Sequence, residues 1–575
     1  MKELLRRLQS KPLIAFELAF GSLLVNVMAL ASPLFVMQVL NRYVGQGVDA
    51  TLFTLTAGVL LAVVFEFALR QSRMALARGI SAGPDAEIAE RAFDTLTRAR
   101  TQALDRTAPE ARREIVSGTQ AIETAYNATN VTTVLDAPFA LLFIFVLFII
   151  QPLLAGIAVL FVIGVYGIGA YGHKRLQAIT AELQSVTADG SALLATAVRE
   201  GDMIRSFNAA PRVQSDWQAN IARAQHLRRA MNAAQGMVQT VTGSAMALLS
   251  VAVIATGAAL VVAGELDVGA MIGANILAAR ALQPVTRLAG LGAAFARAEQ
   301  SLGVFDRLAA SELEADGGTR LTALQGRIEF RDAAFMYPDT RQAVFEGLNL
   351  DIGPGDVLAV IGNNGTGKST MARMLMGLVE PVKGQILIDG VDLKQLDPAW
   401  WRRQIVYLPQ EPALMNATLR DNITVNNPDL DDDGLDAVIE RAGLRRFVDE
   451  SAEGLDTRIA DNGWRLAEGI RRRIALARAL ATDGAVVVID EPTESLDEEG
   501  ARAVYRVLAG MAERKRTIIV MSHDPDIVKG PHTRLNLNAK PVPQIERFGQ
   551  KQLPKPLERI AGPAPDTSGD KAEKS

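Results

Sequence analysis

Six stretches of this chain are apolar over roughly the 20 residues a helix needs to cross a bilayer. They run from about Leu13 to Val39, Leu52 to Leu69, Val134 to Ile150, Leu153 to Tyr171, Thr242 to Gly264 and Val268 to Val285. Lipid offers no partner to backbone N–H and C=O groups, so runs of this length must satisfy them internally, as helices. The sixth is the weakest because it carries Asn275 and Arg280, and a packed helix hairpin is the other reading of it. All six lie in the first half of the 575 residues, which is why the mean hydropathy is positive at +0.15. The first run is too long for a signal peptide and lacks a small-residue cleavage site. The second half has ordinary composition, and a chain of this length needs more than one core. Cysteine is absent, which removes disulfides and thiolate metal sites. A net charge of -4 gives no nucleic-acid footprint.

Charge orients the spans. The short connections near 41–50, 151–152 and 264–267 hold one cation, Arg42, whereas the long connections, about 70–130 and 172–240, are rich in arginine. The positive-inside rule places the long connections and both termini in the cytoplasm. Apolar residues recur there at helical spacing, as at Ile88, Ala92 and Leu96, or Leu183, Val186 and Leu193. Stretches of about 30 helical residues reach roughly 45 Å, so two helical hairpins are expected to act as levers below the membrane. Glu17, Asn26, Glu66, Asn275 and Arg280 fall within spans. Such groups face a bundle interior or cavity, as part of a substrate path or as interhelical hydrogen bonds and interfacial snorkelling.

A polar stretch near Ser311–Leu324 reads as a linker, with a second domain beginning at about Gly326. The expected divisions are 1–12 as an N-terminal segment, 13–310 as the six-span domain, 311–325 as linker, 326–550 as an α/β nucleotide-binding domain and 551–575 as a disordered tail rich in Pro, Lys and Asp. The second domain contains Gly362-Asn363-Asn364-Gly365-Thr366-Gly367-Lys368-Ser369-Thr370, a P-loop without a mismatch. Glycines let several N–H groups converge on one anion, and the following helix points its positive end there. Lys368 suits the β- and γ-phosphates and Ser369 suits Mg²⁺. An apolar strand, Asp356–Ile361, enters the loop, and a helix around Met371–Met376 leaves it. Further on, Val486-Val-Val-Ile-Asp490-Glu491 reads as a buried strand delivering two carboxylates to its end. Asp490 suits a metal and Glu491 suits a water to be polarised.

This order of motifs resembles an ABC transporter nucleotide-binding domain behind a type I exporter membrane domain, over roughly residues 14–535. The resemblance implies a fold, a membrane α-helical six-span domain with long cytoplasmic helices followed by an α/β P-loop ATPase, and an activity, ATP hydrolysis with Mg²⁺. It also implies that Tyr337 stacks on adenine, that Gln410 contacts Mg²⁺ and senses the membrane domain, that Ser495-Leu496-Asp497 crosses a dimer interface, and that His523 contacts the γ-phosphate. The metal set it implies is Ser369, Gln410 and Asp490.

The family's signature, Leu-Ser-Gly-Gly-Gln, is replaced by Leu466-Ala467-Glu468-Gly469-Ile470. In the family this segment grips the nucleotide bound on the opposite subunit. Ala467 lacks the serine hydroxyl. Glu468 either caps the helix, where its charge suits the dipole, or repels an approaching triphosphate. A homodimer would then have two impaired sites. A heterodimer would keep one good site, made from this chain's P-loop, Asp490, Glu491 and His523 with a partner's intact signature. The competing expectation is a slow homodimer.

Ala31–Arg42, Leu135-Asp-Ala-Pro-Phe139 and Gly264–Ile272 resemble segments of type I secretion ATPases, which export proteins from Gram-negative bacteria, although Asn41 stands where an Asp is usual. Because the first span starts near residue 13, the sequence leaves no room for the N-terminal peptidase domain of some members, which points to the protease-, lipase- and adhesin-exporter type. The resemblance implies an inner-membrane subunit embedded in the lipid bilayer with a second exporter subunit, a periplasmic membrane-fusion adaptor, an outer-membrane channel, a secreted protein cargo and no nucleic acid. Export of a lipid or small amphiphile, and a regulatory subunit that occludes ATP, are the alternatives. Glu200–Ala210 resembles the second coupling segment, expected to dock on the ATPase near Gln410. No closing strand or helix is recognisable over Pro531–Gln550.

Overall fold

The computed structural model describes residues 2–548 apart from 46–48, 108, 311, 312, 338, 339, 341 and 532. The expected disordered tail, 551–575, and the start of the expected linker lie outside the described residues. The chain forms two units, the first comprising residues up to 313 except 100–102, the second comprising 100–102 and the remainder from 314.

The described residues of the first unit are mainly helical, and six of its helices are long and apolar enough to cross a membrane. Each of the six apolar runs maps onto one of them to within two residues. They are Pro12–Met28 continuing into Ala31–Gln38, Asp49–Arg98, Ala128–Asp136 continuing into Ala140–Ile150, Pro152–Arg199, Ala210–Val262, and Val268–Gly290 followed by Gly292–Ala309. Large apolar side chains such as Phe16, Phe53, Leu60, Leu141 and Phe145 point outward and are exposed. A surface of that kind suits lipid as its solvent. The sixth span buries half of its most apolar window, more than any other. Its small residues Gly269, Ala270, Gly273, Ala274, Ala278 and Ala281 are buried and let neighbouring helices approach. Its hydropathy is weak because it packs on protein.

The two expected hairpins differ. The second consists of unbroken helices of 48 and 53 residues joined by the short helix Gly201–Ser206. The first descends as one helix of 50 residues and returns in pieces, Thr101–Asp105, Pro109–Ser117, Thr119–Ala125 and Ala128–Asp136. The expected hairpin is present, but its return is interrupted where its descent is not. Gly118 interrupts it, and Asn127 starts a new helix by accepting the Asn130 N–H at 2.9 Å.

Several polar groups in and beside the spans pair with one another. Arg73, 5% exposed, meets Asp136 at 2.5 Å and donates to Ser22 Oγ at 3.1 Å. Asn26 donates to Asp136 Oδ1 at 3.3 Å, and Arg70 pairs with Glu66 at 2.6 Å. Arg280 lines a polar cavity with Asn26, Arg70 and Asp136. Glu17 is exposed, and Asn275 Oδ1 is buried with no partner among the described residues. Asn41 joins two family-like segments: its Oδ1 accepts the Gly269 N–H at 3.0 Å, and its Nδ2 donates to Asp267 Oδ2 at 3.4 Å. An aspartate there would face Asp267 with like charge, so asparagine fits this turn.

Among the described residues the second unit holds ten strands: β1 (Ile328–Phe335), β2 (Phe345–Ile352), β3 (Val357–Ile361), β4 (Lys383–Ile388), β5 (Val391–Asp392), β6 (Ile405–Leu408), β7 (Val486–Asp490), β8 (Thr517–Met521), β9 (Thr533–Asn536) and β10 (Gln544–Arg547). One sheet is antiparallel in the order β2-β1-β4-β5; the other runs β10-β9-β3-β8-β7-β6 and is parallel from β9 to β6. β3, β6, β7 and β8 are buried on both faces, so they read as continuous apolar runs. In β7, Val487 and Ile489 enter one core while Val486 and Val488 enter the other. β9 and β10 correct the reading that no closing strand follows Pro531. β9 pairs parallel with β3, and only Leu535 of its four residues is buried, so the segment looks polar in sequence. Within the expected linker, the Thr319 N–H donates to Gln395 O at 2.8 Å and Arg320 pairs with Asp397 at 2.7 Å.

Candidate functional site

The strand order β3-β8-β7-β6 aligns the carboxyl ends of four parallel strands that are far apart in sequence. The P-loop follows β3, His523 follows β8, Asp490 and Glu491 end β7, and Gln410 follows β6. Ligands of open parallel sheets bind at such an edge. The helix Lys368–Leu375 starts at the loop and presents its positive end there. Gly367 has φ of 109°, and a Cβ there would sit 2.3 Å from Val344 Cγ1, so both conformation and space require glycine. A cleft is lined by Tyr337, Val344, Asn363, Asn364, Gly365, Gly367, Lys368, Ser369, Thr370 and Gln410. The Tyr337 hydroxyl lies 2.9 Å from Thr370 Oγ1, which ties the aromatic to the P-loop helix. Thr366 hydrogen-bonds within the loop, donating to Asn363 O at 2.8 Å, and Gly362 carbonyl accepts from Lys368 Nζ at 2.6 Å.

Glu491 is 4% exposed and its carboxylate sits between Lys368 and His523: Lys368 Nζ lies 3.1 Å from Oε1, and His523 Nδ1 lies 2.9 Å from Oε2. Oε1 is an ion-pair contact without a directed hydrogen bond. Asp490 is buried, and burial raises its carboxyl above the ordinary range while a hydrogen bond from Ser369 opposes the shift. Its Oδ1 has no partner among the described residues. Ser369 Oγ donates to Gln410 Oε1 at 3.4 Å. An orphaned buried carboxylate oxygen beside hydroxyl and amide oxygens is a donor set suited to a hard divalent cation such as Mg²⁺. The catalytic, phosphate-binding and metal candidates read from sequence thus converge on one edge.

The altered signature lies elsewhere in the same unit. Leu466 is half-buried, Ala467 caps the helix Glu468–Leu480 without a side-chain hydrogen bond, and Gly469 and Ile470 occupy its first turn. A hydrogen bond with Ser495 holds the Glu468 carboxyl below the ordinary range, aided by Arg472. Glu468 Oε1 lies 3.4 Å from Arg472 Nη2, so its charge has local partners.

Sequence reasoning missed four participants. Asn538 Oδ1 accepts the Asn363 N–H at 2.9 Å, and Lys540 donates to Thr366 O at 2.9 Å, both from the stretch in which no closing strand or helix is recognisable in sequence. Glu494 accepts from Gln410 Nε2 at 3.2 Å, and Arg472 donates to Glu491 O at 3.0 Å. Only the spacing of Arg472 one turn after Glu468 could have signalled any of them.

Comparison with known proteins agrees with this geometry. Residues 345–494 match the ABC transporter family and residues 15–285 match the ABC transporter transmembrane region. The Alpha-hemolysin translocation ATP-binding protein HlyB of Escherichia coli O157:H7 is 30% identical over 531 residues, covering 90% of this chain and 73% of the relative. The Leukotoxin export ATP-binding protein LtxB of Aggregatibacter actinomycetemcomitans is 28% identical over 530 residues, with the same coverage of each. A bacterial Atm1-family ABC exporter solved with ATP bound superimposes with a TM-score of 0.80 at 20% identity, covering 91% of this chain and 93% of that one. That likeness is one of fold.

Proposed function

We propose that this chain, which belongs to the ABC transporter family and is homologous to type I secretion ATPases, is the ATP-hydrolysing subunit of an asymmetric protein exporter in a bacterial inner membrane. The observation that carries the reading is the contrast between two segments of one domain. The P-loop, Asp490, Glu491 and His523 converge as a phosphoryl-transfer site needs, while the signature offers Ala467 and Glu468 to the opposite nucleotide.

The residues divide the work. Tyr337 stacks on the adenine, the P-loop amides and Lys368 hold the phosphates, and Glu491 polarises the attacking water while His523 steadies the γ-phosphate. Ser369, Asp490 and Gln410 would hold Mg²⁺, which supplies charge neutralisation at the phosphates. Nucleotide must displace Lys368 from Glu491 and Gly362, because one ammonium cannot serve both carboxylate and phosphate at full strength. The long connections and both termini face the cytoplasm by their arginine content. A periplasmic membrane-fusion adaptor, an outer-membrane channel and a secreted protein cargo complete the proposed system; protein export as such is in keeping with relatives named for hemolysin translocation and leukotoxin export.

A regulatory subunit that occludes ATP is the second reading, favoured by the altered signature. Purifying the full chain and measuring its turnover with and without a second subunit separates the readings. An asymmetric exporter gives turnover on co-assembly that depends on Glu491 of this chain; a regulatory subunit gives turnover indifferent to it.

A further inference from the structure

Glu491 is held at every polar group. Its backbone is left-handed, with φ of 47°, a conformation that a side chain larger than glycine adopts only when its surroundings impose it. Its N–H donates to Met521 O at 2.9 Å, and its carboxylate lies between Lys368 and His523. Its carbonyl accepts from Arg472 Nη1 at 3.0 Å in a buried hydrogen bond.

Arg472 itself is 6% exposed, and a buried guanidinium needs carboxylate partners. It has two, Glu468 Oε1 at 3.4 Å and Glu494 Oε2 at 3.3 Å. Glu494 in turn accepts from Gln410. A continuous polar chain therefore runs from the altered signature through Arg472 to the main chain of Glu491, with a branch to the loop that carries Gln410.

We propose that Arg472 is a positioning residue for Glu491, and that Glu468 is its counter-ion. The acid in the signature then has a task within its own subunit: it neutralises the arginine that fixes the left-handed turn from which Glu491 aims its carboxylate. Glu494 supplies the second charge and transmits the position of Gln410 to the same guanidinium. This inference rests on the reading of Glu491 as the group that polarises water.

The test is steady-state ATP turnover against ATP concentration, using the full chain in lipid nanodiscs with its second subunit. Glu491→Gln checks the underlying reading: turnover is lost and nucleotide binding is kept. If Glu491→Gln turns over normally, that reading fails whatever Arg472 does. With Glu491 established, Arg472→Ala is expected to lower kcat on the order of 10- to 100-fold. The KM for ATP should stay within about 2-fold, since the interaction is made to the reacting geometry and not to ground-state nucleotide. Arg472→Lys keeps the charge without the planar fork and falls between. Glu468→Gln, a half-exposed substitution that leaves the fold intact, lowers kcat less and in the same direction. Combining Arg472→Ala with Glu491→Gln produces no additional loss. Wild-type kcat in Arg472→Ala, or a raised KM at unchanged kcat, overturns the proposal. If Arg472→Ala fails to fold, unchanged kcat in both Arg472→Lys and Glu468→Gln overturns it.

Discussion

At the scale of single residues, the site is a set of charges that satisfy one another until nucleotide arrives. Lys368 serves Gly362 and Glu491, and His523 serves Glu491. Removing Lys368 therefore has two effects: it takes a cation from the phosphates and frees a buried carboxylate. Lys368→Ala is expected to abolish turnover and weaken nucleotide binding, which fluorescent ATP-analogue titration reads directly. Glu491→Gln keeps shape and hydrogen bonding but removes the basic oxygen. Its kcat should fall by about 10²- to 10⁴-fold, the range for a lost general base, with nucleotide binding retained. Motif residues of this kind are legible in sequence because their spacing is local. Arg472 is not, because its role depends on β7 and the helix Glu468–Leu480 meeting in space.

At the scale of elements, two polar clusters hold helices in place. Asp136 draws together three helices, through Arg73 of Asp49–Arg98 and Asn26 of Pro12–Met28. Asp136→Ala strands a buried guanidinium, which costs roughly 3–5 kcal/mol in comparable buried pairs. Reduced thermal stability of the purified chain in detergent checks this, and Arg73→Leu with Asp136→Leu should recover much of the loss. In the second unit, Asp397 caps the helix Pro398–Arg403 and accepts from Arg320. The Trp400 N–H, and then Arg320, hold its carboxyl below the ordinary range. A depressed acid stabilises the fold above the unfolded carboxylate's pKa and loses that contribution as pH falls through its own lower value. The stability gap between wild type and Asp397→Asn should therefore be widest near neutral pH and close on acidification. Tryptophan fluorescence reads it beside Trp400 and Trp401; a gap that widens in acid would contradict the assignment. The helices themselves were legible from apolar length, and β3, β7 and β8 from continuous apolar runs. The broken return of the first hairpin and the strands β9 and β10 were not: their signals are single residues, Gly118, Asn127 and Leu535, within polar sequence.

At the scale of the whole molecule, six spans followed by the ordered motifs from Tyr337 to His523 resemble an ABC exporter in sequence, and the family matches and the fold agree. What the sequence left open at Glu468, capping or repulsion, takes a third form in the structure, in which the carboxylate serves Ser495 and Arg472. On the proposed reading, Ala467 leaves the signature without the serine hydroxyl that would grip the nucleotide on the opposite subunit. Two copies would reproduce the defect twice, whereas a second subunit with an intact signature would complete the site built on Gly362–Ser369. The most direct test is the ATP turnover of the purified full chain, alone and co-assembled with such a subunit in lipid. An asymmetric exporter gives little turnover alone and strong turnover on co-assembly, abolished by Glu491→Gln in this chain. Robust, cooperative hydrolysis by this chain alone would contradict it.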